Sequence, residues 1–354
     1  MLDVIGIGSL NLDLIVPSEV TEALPQEEVR RAYSIIESCA GGPASLSDLE
    51  KVLTLLGRES FRESLGGSAF NTVHALAELG AGIRIGFIGV SGSTGCRMDF
   101  LQLMEELSID STCVANISEE RSGICLCVNR NGSRSLLVYP GSNRLISGHI
   151  SANWEKILAY ASSARVLHLT SFAGEEAPET VAALVDEVKK ASPGIKVSFD
   201  PGLSWIMNIT PAILGIMKSS DMIFLSTQEF NLLSRESRES DSMEKARSIY
   251  GRLGLDSCLL VAKLKPDIRV YSHCGGRIVE RCFENRLVDC GDISDATGAG
   301  DVFNAGFLAA LLLRGMDSVL LAAELGSSFA YARLTSSGDN AYRELRRIFR
   351  EKNI

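Results

Sequence analysis

The sequence predicts an α/β protein: a three-layer, doubly wound, mainly parallel sheet with a small separate β-sheet as a lid. Three observations carry this expectation. From Val166 onward, short apolar runs alternate with amphipathic stretches at the spacing of strand–helix units, the pattern of a parallel sheet covered on both faces. An antiparallel hairpin signal around Asn131-Gly132 interrupts such units and points to a second, smaller sheet. The chain has 354 residues, 45% of them hydrophobic, and 32 glycines, enough to bury a full core and to turn tightly between many elements. We take residues 1–354 as one domain, with lid elements at about 9–17 and 121–140 and an insert at about 18–64.

Taken in order, Asp3 to Val16 opens as a buried strand and then alternates. Asn11 and Asp13 share one face there, and Leu10, Leu12 and Leu14 the other. Two polar groups on one face either line a pocket or form an ordinary solvent face. Gly6 and Gly8 imitate a dinucleotide-binding turn, but the third glycine falls at Asn11 and a strand continues where a helix is required. Residues 17–65 read as polar and helical around Glu27–Arg31 and again through Leu49–Leu56, with Gly41-Gly42-Pro43 between. Gly66-Gly67 turns into a helix with apolar residues at helical spacing, closed by Gly80. On that helix His74 reads as a satisfied core or rim histidine.

Strand Ile83–Val90 and helix Met98–Leu107 follow, then the hairpin strands Gly123–Asn129 and Arg134–Tyr139. The later units are strand Val166–Leu169, helix Glu179–Lys189, strands Lys196–Phe199 and Met222–Leu225, helix Ser242–Leu253 and strand Leu259–Val261. Ligands of such sheets bind beyond the carboxyl ends of the strands, where Asp13, Ser171 and Asp200 fall, with Glu229 a few residues further on. Ser234–Asp241 reads as a solvated loop and Arg343–Lys352 as a solvated helix face.

Composition excludes several classes. A net charge of −9 argues against a general nucleic-acid binder. Nine cysteines contain no Cys-x-x-Cys pair, so a zinc site is not expected; Cys125 and Cys127 would share one face of a strand as apolar fillers. No basic and apolar leader opens the chain, and no apolar run reaches about 18 residues. The expectation is a cytoplasmic protein without membrane contact.

Chemistry concentrates at Asp295-Ala-Thr-Gly-Ala-Gly-Asp301. The run that follows, Val302 to Leu313, is apolar almost all round and reads as a buried helix. The first N–H groups of a helix have no intrahelical partner, carry partial positive charge and accept a phosphate or a developing oxyanion. Small residues at 298–300 let an anion approach, and Asp301 places a carboxylate in the first turn, where it can serve as base to an attacking hydroxyl. The competing reading is a simple turn in which Thr297 or Asp301 caps the helix. No Gly-x-x-x-x-Gly-Lys-Ser/Thr loop and no protein-kinase motif occurs.

The seven-residue stretch resembles the second signature of the ribokinase-like (PfkB) carbohydrate kinases, Asp-Thr-Thr-Gly-Ala-Gly-Asp, differing only at Ala296. Other landmarks occur in the family's order over nearly the whole chain: Gly8-Ser-Leu-Asn-Leu-Asp13, Gly66-Gly67 with Asn71, the hairpin, Asp200-Pro201, and a partial Asn-x-x-Glu at Ser226–Glu229. The resemblance implies a ribokinase-like fold and transfer of the γ-phosphoryl of ATP to a primary hydroxyl of a sugar or sugar-like substrate. It implies Asp301 as base, and Gly298, Ala299 and Gly300 as anion hole. Asn11, Asp13, Gly66, Gly67 and Asn71 fall at the acceptor, and Thr297, Ser226 and Lys263 at the nucleotide. Mg²⁺ is implied on the phosphates, with Glu229 supporting it through water, and there is room for a monovalent cation.

Two departures stand out. Ser226 replaces the family's asparagine, and Ala262-Lys-Leu-Lys-Pro-Asp267 replaces its glycine-containing nucleotide loop, with Lys263 and Lys265 offering positive charge. The 53 positions from Asp13 to Gly66 and the wording Gly-Gly-Ser-Ala-x-Asn-Thr resemble the adenosine-kinase-like branch. A nucleoside kinase is therefore the second reading, and a sugar-binding pseudoenzyme with impaired nucleotide use the third. The free edge of a lid sheet admits a homodimer.

Overall fold

The computed structural model describes all residues except 40–41, 58–60, 96–98, 131–132, 173–175, 238, 287, 289–296, 337–338 and 353–354. The Asn131-Gly132 turn, Gly41, Asp289–Asp292, Asp295 and Ala296 thus lie outside the described residues. The main sheet has nine strands: β1 (Leu2–Ile7), β4 (Ile85–Ser93), β5 (Ile109–Arg121), β8 (Ala164–Thr170), β9 (Lys196–Asp200), β10 (Met222–Ser226), β11 (Leu259–Lys263), β12 (Asp267–Cys274) and β13 (Arg277–Glu284). Their spatial order is β13-β12-β11-β10-β9-β8-β1-β4-β5. The run from β11 to β5 is parallel, and β12 and β13 add an antiparallel edge. The chain builds outward from β1 to β4 and β5, then returns to β8 on the other side of β1 and continues to β11. Reversals of this kind open a crevice at the carboxyl ends of the strands.

Helices cover both faces. On one, α6 (Ile146–Ala152), α7 (Trp154–Ser162), α8 (Ala177–Ala191), α9 (Gly202–Met207), α10 (Pro211–Ser219), α11 (Thr227–Ser234) and α12 (Ser242–Leu253) bury a core around Ile5, Leu167, Val197, Phe199 and Ile223. On the other, α4 (Ser68–Glu78), α5 (Phe100–Glu106), α13 (Ala299–Arg314), α14 (Val319–Thr335) and α15 (Asp339–Glu351) bury Val4, Phe70, Phe87, Phe224 and Phe307. Close helix contact depends on small residues. A Cβ on Gly8 would lie 2.5 Å from the Ala69 methyl, and one on Gly306 would lie 2.9 Å from the Gly326 backbone. Gly8 therefore serves the seating of α4 against the end of β1, which accounts for a glycine pair that imitates a dinucleotide motif.

The small sheet has four strands, β2 (Asn11–Val16), β3 (Arg62–Gly66), β6 (Gly123–Arg130) and β7 (Ser133–Tyr139), in the order β3-β2-β6-β7. Leu12, Leu14, Val16, Ile124, Leu126 and Leu137 form its apolar face. That face is buried under α2 (Gln26–Ser38) and α3 (Leu46–Leu56), which follow α1 (Ser18–Ala23), through Ala32, Ile36, Leu49, Val52 and Leu56. Strand alternation puts Asn11, Asp13, Gly123, Cys125 and Cys127 on the opposite face.

Four strands differ from the sequence reading. Arg62–Gly66 is polar and ends a stretch that reads as helical, yet it pairs antiparallel with β2. Ile109–Arg121 has no apolar alternation because it is an edge strand, with no buried residue beyond Cys113. Asp267–Cys274 and Arg277–Glu284 form a hairpin rich in charge, stabilised by ladder hydrogen bonds and by the Arg269–Glu280 pair at 2.9 Å. In each case the sheet supplies backbone pairing that local hydrophobic pattern does not announce. Arg343–Lys352 falls largely in α15, whose inner face is not solvated: Leu345, Ile348 and Phe349 are buried and Arg346 pairs with Glu78.

Candidate active site

The carboxyl ends of β8, β9, β10 and β11 and the mouth of α13 converge on one crevice. Gly298 is the N-cap of α13, in the left-handed region at φ 74°, and as a glycine it offers the first N–H groups no side-chain cap. The residue at the cap position is therefore Gly298 rather than Thr297 or Asp301. Thr297 is buried instead, its Oγ1 4.0 Å from Cys127 Sγ on the polar side of the lid. Gly300 is exposed, and a Cβ there would meet only the Lys263 ammonium, at 3.4 Å. The helix behind this mouth is buried from Val302 to Leu312, so its N-terminal N–H groups are held on a rigid axis with partial positive charge.

Asp301 is fixed from α4. Asn71 Nδ2 donates to Asp301 Oδ2 at 3.0 Å, and Thr72 Oγ1 donates to the Asp301 carbonyl at 3.1 Å. Gly67 precedes α4 with φ 110°, and a Cβ there would lie 2.0 Å from the Ser9 carbonyl. The double glycine thus brings the start of α4 against the Ser9–Asn11 crossing into the lid. A Cβ on Gly66 would strike Asp13 Oδ2 at 2.1 Å. Gly66, Gly67, Asp13 and Asn11 form one wall, and Asn71 links it to Asp301. His74, a turn further along α4, stacks on Tyr342 with ring centroids 4.2 Å apart and bonds its hydroxyl at 3.2 Å. It is a satisfied histidine behind the wall.

Lys263 ends β11 directly opposite Ser226 on β10, so the two departures from the family pattern are neighbours. Its Nζ donates to Asp200 Oδ2 at 3.0 Å and to Asn304 Oδ1 at 3.2 Å, and Asn304 Nδ2 donates to the same Asp200 oxygen at 2.7 Å. Burial alone would push the Asp200 carboxyl up; Lys263 and Asn304 outweigh it and hold it below the usual carboxylate range. Burial likewise disfavours the ammonium, and Asp200 and Glu229 outweigh that to raise its pKa. The result is a fixed cation beside Gly300.

Ser226 and Glu229 bond each other in a capping box at the start of α11. Ser226 Oγ accepts from the Glu229 N–H, and Glu229 Oε2 accepts from the Ser226 N–H at 2.7 Å. Burial, and next the Asp200 charge, push the Glu229 carboxyl above its ordinary value. No cluster of three or more metal-ligating side chains occurs among the described residues.

Two site residues escaped the sequence reading. Asn304 interrupts the otherwise apolar run of α13, and a buried amide in such a run is the signal that was available. Asn143 lies in a 3-10 turn, Gly141–Leu145, after the lid hairpin and is 2% exposed; its sequence neighbours announce nothing.

A helix mouth, a carboxylate in its first turn, a buried lysine beside it and a polar lid wall meet in one crevice, an arrangement compatible with phosphoryl transfer. Comparison with known proteins agrees. Residues 51–344 match the pfkB family carbohydrate kinase, and the chain belongs to that family. It is 26% identical to the ribokinase of Haemophilus influenzae over 73% of this chain and 78% of that one. It is 27% identical to an ATP-dependent ribose-1-phosphate kinase of Halopiger xanaduensis over 72% and 76% of the two chains. Among solved structures, adenosine kinase from Sinorhizobium meliloti superposes with a TM-score of 0.75 at 17% identity, covering 99% of each chain. Ribokinase from Giardia lamblia gives 0.70 at 17% identity, covering 99% of this chain and 100% of that one. The fold is ribokinase-like, and the protein is a carbohydrate-kinase-type phosphotransferase.

Proposed function

We propose that the chain transfers the γ-phosphoryl group of ATP to a primary hydroxyl of a sugar or sugar-like acceptor. The observation that carries this reading is the mouth of α13. Gly300 is exposed, and among the described residues a Cβ there would meet only the Lys263 ammonium, at 3.4 Å. A rigid helix terminus carrying partial positive charge beside a lysine favours a transferred phosphoryl group.

In this reading the acceptor lies against Asn11, Asp13, Gly66, Gly67 and Asn71, so that its hydroxyl meets Asp301. The Asp301 carboxylate, oriented by Asn71, takes the hydroxyl proton as the oxygen attacks. The N–H groups of Gly298, Ala299 and Gly300 hold the equatorial oxygens as charge shifts to the leaving phosphate. Thr297, Ser226 and Lys263 line the nucleotide side, and the Lys263 ammonium compensates for the amide absent at Ser226. Mg²⁺ fits beside Glu229, where a divalent charge offsets the burial and the Asp200 repulsion that favour its protonated form; held through water, it would neutralise phosphate charge. Room for a monovalent cation and a lid-edge homodimer belong to the same reading. Part of the β7 edge is covered by the Ala44 N–H bonding Val138 at 2.8 Å, so the dimer would use the β3 edge.

A nucleoside acceptor is the second reading, motivated by the long helical insert between Asp13 and Gly66 that packs on the lid face. ADP release across a panel of sugars and nucleosides separates the two. In Asp301→Asn, turnover falls by on the order of 10²–10⁴ with acceptor binding nearly intact; unchanged turnover would remove the mechanism. Tight sugar binding without turnover in the wild type would favour a pseudoenzyme.

A further inference from the structure

Asn143, after the lid hairpin, ties to the Leu10–Asn11 crossing from the main sheet into the lid. Its Oδ1 accepts from the Leu10 N–H at 2.8 Å, and its Nδ2 donates to the Leu10 carbonyl at 3.2 Å and to Asn11 Oδ1 at 2.9 Å. The orientation of both amides follows from chemistry. A backbone N–H can only donate, so the atom facing Leu10 N must be the Asn143 oxygen, and the NH2 must lie on the other side. One of its hydrogens meets the Leu10 carbonyl. The other meets the Asn11 side chain, which must answer with its oxygen. The remaining polar end of Asn11 is therefore its NH2, a donor.

Asn11 lies in a trough. Its neighbours across the sheet are Gly66 on β3 and Gly123 on β6, so no side chain flanks it on either side. A Cβ on Gly123 would lie 2.2 Å from both Asn11 Oδ1 and Asn143 Nδ2, which leaves no room for a side chain beside the paired amides. The surrounding crossings are anchored as well. Ser122 Oγ exchanges hydrogen bonds with the Gly92 carbonyl and N–H at 2.8 and 3.0 Å, and Ser142 Oγ donates to the Val90 carbonyl at 3.3 Å.

We infer that Asn143 is a positioning residue that locks the Asn11 amide with its NH2 toward the acceptor trough, so that this position takes a hydrogen-bond-accepting oxygen of the substrate. Asp13, two residues along the same face, is a carboxylate and takes a donating hydroxyl. The pair thus selects an acceptor that presents one accepting oxygen and one hydroxyl donor a strand repeat apart. The inference rests on the kinase reading only for the identity of the molecule that enters the trough.

The test has an arm for each. In Asn11→Asp the oxygen facing Asn143 is kept and the NH2 becomes an oxygen. The KM for the acceptor rises about 10–100-fold, and the KM for ATP stays within about twofold. In Asn143→Asp, which can accept from Leu10 but not donate to Asn11, the acceptor KM rises by a similar factor while kcat changes little. An unchanged acceptor KM in Asn11→Asp overturns the orientation. Equal changes in both KM values in Asn143→Asp would mark a purely structural role and overturn the positioning. Independently of any activity, the Asn143 side-chain NH2 in 15N-asparagine-labelled protein, assigned by its loss in Asn143→Asp, exchanges with solvent far more slowly than exposed asparagine amides. Fast exchange overturns the clamp even if the kinase reading stands, and slow exchange supports it even if that reading fails.

Discussion

Replacing Lys263 with methionine isolates the largest electrostatic commitment in the crevice. The ammonium lies 3.0 Å from Asp200, with the two side chains 16% and 13% exposed, so water screens the pair little. Removing one partner of a buried pair typically costs about 3–5 kcal/mol, because the surviving charge keeps its desolvation penalty. Asn304 still donates to Asp200 at 2.7 Å, which places the expected loss toward the lower end. At about 2.1 cal/mol/K per residue, 354 residues unfold with an entropy of roughly 0.74 kcal/mol/K. A loss of about 3–5 kcal/mol then lowers Tm by about 4–7 °C. The assay is a thermal and urea double-mutant cycle with Asp200→Asn. Neutralising the orphaned carboxylate in Lys263→Met/Asp200→Asn restores about half or more of the loss. The pH response has a fixed sign. The Asp200 pKa is held down, so its contribution is full above the unfolded carboxylate value and is lost as pH falls through the folded one. The Lys263 pKa is raised, so its contribution is full below the unfolded lysine value and is lost as pH rises through the folded one. Additive single-variant losses, or a Lys263→Met loss below about 1 kcal/mol, would refute the buried-pair argument.

Two further outcomes follow from the same geometry. His168, fully buried, has its pKa pushed down to about 4, mainly by burial, and bonds Ser198 Oγ at 2.9 Å. Because the folded value lies below the unfolded one, its stability is full above about pH 6.5 and is lost as pH falls toward 4, by up to roughly 3 kcal/mol; His168→Gln flattens the urea-midpoint profile over that window. Gly67→Ala forces a methyl to 2.0 Å from the Ser9 carbonyl at φ 110°. Loss of about 1–3 kcal/mol is expected, and, by displacing the Ser9–Asn11 crossing, a rise in acceptor KM larger than that for ATP; an unchanged urea midpoint would contradict the contact.

Much of the main sheet was legible because buried parallel strands are short apolar runs between amphipathic helices, as at Val166–Leu169 and Met222–Leu225. The charged hairpin Asp267–Glu284 and the edge strand Ile109–Arg121 were not, because polar and charged residues break up their apolar pattern and the pairing that holds them is made by the backbone. The stretches at Gly66-Gly67 and Thr297–Asp301 were legible as glycine-led helix starts, because a turn of small residues before apolar residues at helical spacing is a local signal.

By itself, then, the sequence determined the α/β class, the helix mouth at Gly298 and the residue types gathered near it, since these depend on local periodicity and on the properties of single side chains. Only the tertiary structure decided how those residues act on one another. It set Lys263 between Asp200 and Asn304 and opposite Ser226, and it aimed Asn71 at Asp301 across 230 residues of chain. It also oriented Asn11 through Asn143, 132 positions away. Charge pairing and amide orientation are settled by distances of about 3 Å, and in this chain those distances are closed by sheet register and helix packing.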